Sequence, residues 1–469
     1  MAALMCAYQY TLTIGGSIRG RDGSCFGCRC HTKSESHHVL AMQTKNFALK
    51  PLHLSGSETT VQASQYLSCG DLDFHVVRVY NPSFDVLNQF LKQRLICTQF
   101  MRPENASFST RMIWYFRRAI SSLFRSTLPC RYISYSRQSV VGHGYLIMDY
   151  IENADGEMLS ESWDEHRHDQ NLRTNFFKDL SRIMLALSQS PLPRIGSWTI
   201  DKRGVLMLTN RPLAHHFHSL ENQGIPTNIP RNLTYTTADV YYMDLLACHD
   251  SRIRNQPNSI INEEDGLAQM ANLFAMRGLL PHFTIRDLRH GPFVFNLTDL
   301  HRGNIFVDRN WHIKHIIDLE WACSLPMEML APPYWITNRG VDELKGSQLQ
   351  TFGNACEEFM DIFAEEEKSF PSVYGSATYR ADLMRRGWKM GNFWYFHALK
   401  SPKGLFNLFV QHIQPIFEPR RNSKFAQTVS AYWAADARQV VAAKLEDKGK
   451  YEEQVRQLFA EAGDSEVKS

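Results

Sequence analysis

FVFNLTDLHRGNIFVDRNWHIKHIIDLEWACSL, residues 293–325, sets three apolar runs around two polar ones. The runs are Phe293–Leu297, Ile305–Val307 and Ile313–Ile317, each short enough for a buried strand. Asp308-Arg309-Asn310-Trp311 between the second and third has turn chemistry, so the pair is predicted to form a hairpin. Asp299, Asn304 and Asp318 all fall at strand ends, where short loops bring side chains together.

Phosphoryl transfer asks for such a set. One carboxylate orients the attacking hydroxyl and accepts its proton. An amide oxygen and a second carboxylate hold Mg²⁺ against nucleotide phosphates, because hard oxygen donors suit that ion. The kinase catalytic-loop pattern is Asp, four residues, Asn, then an Asp beyond a hairpin, and Asp299, Asn304 and Asp318 keep that order and spacing. The Asp-to-Asn spacing alone arises by chance on the order of once in a chain of this length, whereas its placement between strands with a third carboxylate beyond is much rarer. The bland alternative makes Asp299 a turn cap, Asn304 its closing residue and Asp318 the partner of an arginine. A metal-dependent hydrolase using Asp299, His301, His312, His315 and Asp318 is a further reading. Against it, His312 and His315 lie beyond the hairpin turn, and no eightfold βα alternation supports a barrel.

DLHRGNIFVD followed by IIDLEWA resembles the aminoglycoside-phosphotransferase and choline-kinase-like family, in particular its fungal branch. YLIMDYIE at 145–152 resembles that family's hinge, and PLPRIGSWTID, NRPLAHHFHSLENQGIPTNIPRNLTY and CSLPMEMLAPPYW are similar to further blocks. The resemblance runs from Tyr145 to Phe459. It implies an α+β, two-lobed protein-kinase-like fold, with a small N-terminal sheet lobe over 1–148 that includes a leader, and a larger, mostly helical lobe over 149–469. It implies an ATP- and Mg²⁺-dependent phosphotransferase with an alcohol group of a small molecule as acceptor. Carried over residue by residue, Asp299 is catalytic, Asn304 and Asp318 bind Mg²⁺, and the backbone of Asp149, Tyr150 and Ile151 faces adenine. Leu297-Thr298 stand where the family has His-Gly, and His301 reads as a packing residue.

The N-terminal region fits less closely. A kinase-like lobe needs a cation on a strand to grip phosphates and an acid to hold that cation. Arg78 in HVVRV is the first candidate cation and Lys50 in FALK the second, although arginine and lysine are not interchangeable there. Asp85 and Glu104 are the nearby acids, and Gly15, Gly16, Gly20, Gly23 and Gly27 offer a phosphate-covering loop without a clear spacing. A catalytically degenerate kinase-like binding protein is therefore the alternative function.

Composition bounds these readings. The chain has 469 residues, 43% hydrophobic and 21% charged, which excludes disordered and collagen-like classes. A formal charge of +3 is too balanced to imply a nucleic-acid partner for the whole chain. Nine Lys/Arg against the single acid Glu104 between Lys92 and Arg137, interleaved with aromatics, form the strongest local asymmetry. That segment reads as a solvated helix face, with nucleic acid or an anionic surface as the alternative. No apolar run reaches the roughly 18 residues of a membrane span, so no membrane partner and a cytoplasmic location are expected. Six Lys/Arg against two acids over residues 1–50 are compatible with a mitochondrial leader. Cys25, Cys28, Cys30 and His31 lack a second ligand pair at zinc-site spacing, so reduced thiols are expected.

Periodicity predicts a strand over His75–Val79, a helix through Phe84, Leu87, Leu91 and Leu95, and a buried strand Tyr145–Met148. It further predicts a helix from Leu172 to Leu187, a hairpin at Trp198–Met207 and helices after Thr237 and through Leu267–Phe274. From Glu357 onward the chain reads as mostly helical, ending in a charged helix from about Ala435 to Phe459.

Overall fold

The computed structural model describes chiefly residues 151–200, 205–370, 380–402, 404–419 and 424–466, with 106–124, 126–129 and a set of strands in the first 150. Small sheets and helices mix as an α+β chain does. The main elements in order are β1 (Ala48–Leu49), β2 (Gln65–Cys69), β3 (Leu72–Val79), β4 (Ile96–Met101), α1 (Phe108–Leu123), β5 (Ile133–Gln138) and β6 (Tyr145–Met148). There follow β7 (Glu157–Met158), α2 (Leu159–His166), α3 (Gln170–Ser188), β8 (Ser197–Ile200), β9 (Leu206–Asn210), α4 (His215–Asn222), α5 (Ala238–Asn255) and α6 (Glu263–Phe283). The rest are β10 (Phe293–Leu297), β11 (Ile305–Val307), β12 (Ile313–Ile316), β13 (Ala322–Pro326), α7 (Ser347–Glu367), α8 (Arg380–Met390), α9 (Asn392–Lys400) and α10 (Ala437–Glu466). The chain forms two compact units. One comprises Met1–Trp163, Ser197–Asn210 and Arg302–Ala322, the other Asp164–Gly196, Arg211–His301 and Cys323–Ser469.

In the first unit, β6, β3, β2 and β1 form an antiparallel sheet in that order. Tyr145 pairs with Val79 and Leu146 with Arg78. β4 and β5 pair from Ile96–Gln138 to Met101–Ile133, with α1 in the connection. Ser107 caps α1 by accepting from the Thr110 amide at 3.4 Å. No residue of α1 is buried, and Phe108, Phe116 and Leu123 stand exposed beside Arg111, Arg117 and Arg118. The expected solvated helix is therefore present, and it leaves its apolar side open as well. The helix predicted through Phe84–Leu95 lies outside the described residues.

The predicted hairpin is β11–β12, with Ile305 opposite Ile316 and Phe306 opposite His315. Asp308 builds the turn: its Oδ1 accepts from the amides of Asn310 at 2.9 Å and His312 at 3.0 Å. Trp311 takes a left-handed backbone, φ 60°, which costs a bulky residue about 1–2 kcal/mol. Its side chain offsets that cost. The ring is 1% exposed, lies 5.0 Å from Trp163 in a near-parallel stack, and donates its Nε1–H to Ser162 Oγ at 3.2 Å. β7 adds a third strand, pairing Glu157 with Val307.

The second unit is built on helices. Asp169 caps α3 through the amides of Asn171 and Leu172, and Phe176, Phe177, Leu180 and Leu185 make the buried face. Phe177 meets Phe359 of α7 edge-on at 5.3 Å, and Arg173 Nε grips both oxygens of Glu358. α9, NFWYFHALK, is apolar almost all round and is buried almost all round, the mark of a central helix. Tyr395 stacks on Phe283 at 4.5 Å and donates to the Met276 carbonyl, while Phe396 packs on Tyr242. Two buried acids hold chain ends. Glu367 accepts from the amides of Arg380 and Ala381, fixing the start of α8, and pairs with the Arg380 guanidinium at 3.1 Å. Glu328 accepts from the Tyr242 hydroxyl and the Ile285 amide. Cys248, Cys323 and Cys356 are buried free thiols.

Removing the indole that closes the hairpin leaves a large void beside Trp163. Trp311→Ala is expected to destabilise the protein by about 3–5 kcal/mol, read as a lower denaturant midpoint; a loss under about 1 kcal/mol contradicts this account of the turn.

Burial pushes His249 down to about 3 and His218 and His412 down to about 4, the Arg211 charge adding to the effect at His218. All three fall below the ordinary imidazole value, so the stability they contribute is present above about pH 6.5 and is lost as pH falls. Burial raises Glu328 to about 7 against its two donors, so this one group works in the opposite sense between about pH 4.5 and 7. Three groups outweigh one. The melting temperature is expected to fall between about pH 7 and pH 5, and a flat or rising profile over that range rejects the assignment.

Candidate active site

Asn304 and Asp318 belong to the first unit and stand at the same end of the β11–β12 hairpin. Asn304 closes a 3₁₀ turn, Arg302–Asn304, and is 4% exposed. Its carbonyl accepts the Ile317 amide at 2.9 Å, directly before Asp318. Asp318 is left-handed, φ 56° and ψ 52°, a region that Asp and Asn tolerate better than most residues. That conformation ends β12 and turns the chain into the short helix Leu319–Trp321. The result places an amide and a carboxylate, both oxygen donors, at one hairpin end. Such donors suit a small hard cation that completes its shell from water and phosphate.

Asp299 belongs to the second unit, in the turn that leaves β10. β10 pairs with β13 and is bridged by Leu192 opposite Phe293. Trp335, packed 6.0 Å from Phe176, donates its Nε1–H to the Leu300 carbonyl at 2.7 Å and so anchors the turn. Burial, then the Asp299 charge, raises the Tyr334 phenol. Tyr334 meets the His397 ring edge-on at 5.6 Å, and His397 lies 4.5 Å from Phe393. Burial, then the positive charges of Lys400 and His216, holds His397 well below its ordinary range. Lys400 is lowered to about 8 by burial, with Cys323 pulling the other way. No carboxylate is among the charges that shift His397 or Lys400. His215, His216 and Tyr334 are exposed, and His397 and Lys400 half-buried, so the group opens to solvent.

The other residues proposed from sequence are placed as follows. Arg78 sits in β3 opposite Leu146, in the strand that leads into the expected hinge. Ile151 is described and half-buried, whereas Asp149, Tyr150, Lys50, Asp85, Glu104 and the N-terminal glycines lie outside the described residues. Cys25 and Cys28 occupy a pair of two-residue strands, with Cys30 and His31 outside the description. The hydrolase reading loses ground: His312 and His315 are exposed, and no group of three or more His, Cys, Asp or Glu among the described residues is placed to hold a metal. Sequence reasoning did not single out Tyr334 or His397 beside the Asp299 turn, although His397 stands with Asn392 and Lys400 as a polar exception in an apolar helix.

No family model and no curated protein matches the chain. Among solved structures, a macrolide 2'-phosphotransferase type I is similar over 85% of this chain and 92% of its own, at 10% identity and a TM-score of 0.26. A likeness of that size decides neither fold nor activity. No helix among the described residues is long and apolar enough to cross a membrane.

Trp335→Phe keeps the packing on Phe176 and deletes only the bond to Leu300. A loss of about 1 kcal/mol in stability is expected, read as a lower denaturant midpoint; an unchanged midpoint rejects the anchoring role.

Proposed function

We propose that this protein is an ATP- and Mg²⁺-dependent phosphotransferase acting on a hydroxyl of a small molecule. The observation that carries the reading is the order Asp299, Asn304, Asp318, with the second and third residues at one end of a short hairpin as the chemistry requires. Asp299 orients the acceptor hydroxyl and takes its proton as the new oxygen–phosphorus bond forms and the bond to the ADP oxygen breaks. Asn304 and Asp318 supply oxygens for Mg²⁺, which neutralises phosphate charge when bound. The donor set fits that ion: one amide and one carboxylate, with Asn304 held rigid by burial. Arg78 is the candidate grip on the phosphates, and the backbone of Asp149, Tyr150 and Ile151 the candidate adenine contact.

A second reading, a kinase-like binding protein without transfer, is favoured by one observation. The candidate cation on β3 is arginine, whose planar fork does not reproduce the point charge of lysine.

Turnover separates the two. With a hydroxyl acceptor present, Asp299→Asn is expected to lower Mg·ATP turnover by about 10²–10⁴-fold with an unchanged melting temperature. Wild-type protein that neither consumes ATP nor is stabilised by Mg·ATP sinks the transferase reading.

A further inference from the structure

α1 turns its polar side inward and its apolar side out. On a helix, Phe108, Met112, Ile113, Phe116, Ile120 and Leu123 fall on one arc of about 140°. All six are exposed, Phe108 at 70%, Phe116 at 67% and Leu123 at 78%. The half-buried residues belong to the opposite side, among them Thr110, Trp114, Arg118 and Ser121. Arg118 fixes that side: it donates to the carbonyl of buried Pro129 at 3.2 Å and lies 5.3 Å over the Trp114 ring. Ser126 Oγ donates to the Ser121 carbonyl at 3.3 Å. A helix in a folded chain draws most of its stability from a buried apolar face. α1 has such a face and buries no residue of it.

Charge says what kind of partner fits. Residues 108–123 hold Arg111, Arg117 and Arg118 and no acid. Exposed Arg117 borders the arc beyond Ile113. Arg111 borders it on the other side, its guanidinium 5.6 Å from the Phe108 ring centroid. An apolar stripe rimmed by cations on both sides matches an anionic lipid surface, where acyl chains take the stripe and headgroups the rims. A second copy of α1 matches poorly, because joining the two arcs sets arginine rims against arginine rims. Nucleic acid accounts for the arginines and leaves the six apolar side chains in water. The 16 residues of α1 rise about 24 Å, short of the roughly 30 Å of a hydrocarbon core, so the helix suits the plane of a bilayer surface rather than its normal.

We propose that α1 is an interfacial helix that docks the protein on an anionic bilayer, its apolar arc among the acyl chains and Arg111 and Arg117 against the headgroups. The expectation of no membrane partner rested on the lack of a spanning segment, which an interfacial helix does not need. None of the α1 residues belongs to the candidate active site, so docking and turnover are read independently.

The test mixes the full-length chain with extruded vesicles of phosphatidylcholine, alone or with about 30% phosphatidylserine, at about 0.15 M salt, and measures bound protein by flotation. The anionic vesicles are expected to bind at least about tenfold more tightly than the neutral ones. Phe116→Ser combined with Leu123→Ser, both at exposed positions, is expected to weaken that binding about 100-fold with an unchanged melting temperature. Arg117→Gln is expected to weaken it about fivefold. Equal binding to both vesicles, or binding to neither, overturns the proposal. So does anionic binding that survives the double variant, which moves it to another basic stretch. A dimer in sedimentation velocity that the double variant dissolves gives the arc to a second copy. A polyuridylate oligonucleotide that binds while vesicles do not gives the arginines to nucleic acid, and either result ends the lipid assignment.

Discussion

The stack of Trp311 on Trp163 is the contact on which the β11–β12 hairpin depends. A three-stranded sheet whose strands are two to four residues long cannot hold itself together in water. Here the turn is closed at one end by Asp308 and clamped by an indole buried against a second indole and bonded to Ser162. With the turn fixed, the register of β11 against β12 is fixed, and with the register the two oxygen donors at the opposite end. The strain of a left-handed tryptophan is therefore local, and the geometry it secures lies a strand length away.

In the second unit the organising constraint is a helix with no polar face. Because α9 is apolar around its circumference, neighbours must cover every side, and α5, α6 and the segment after β13 do so. The polar residues such a helix carries are then forced to an end. His397 and Lys400 occupy that end, which is where the Asp299 turn and Tyr334 are found. Buried acids play the complementary part, Glu367 taking up three donors and Glu328 two that would otherwise face apolar surroundings.

Much of this architecture is legible in the sequence where one period dominates. α3 follows from the spacing of Phe176, Leu180 and Ile183, and the strand Tyr145–Met148 and the hairpin turn at Asp308 follow from apolar runs bounded by turn residues. Asn304 and Asp318 were readable as a pair because turn chemistry fixes which strand ends come together. Tyr334 and His397 were not, since they meet only through the packing of elements far apart in the chain. α6 extends beyond the predicted Leu267–Phe274 stretch and past Pro281 to Phe283, whose ring packs on Tyr395 and Phe417. α1 shows the limit of a charge count. Its arginines suggested a solvated face, but nothing in composition announced that Phe108, Phe116 and Leu123 would be open too.

Cys248, Cys323 and Cys356 are buried, and desolvation raises each thiol above its ordinary range. Sulfur chemistry at these positions is doubly suppressed, by access and by the scarcity of thiolate. Electrophiles and oxidants in contact with the native protein therefore pass these three sulfurs by, and modification at any of them records that the helices around it had parted. The second unit thus carries its own chemical clock for opening, with one hand on α5, one on β13 and one on α7.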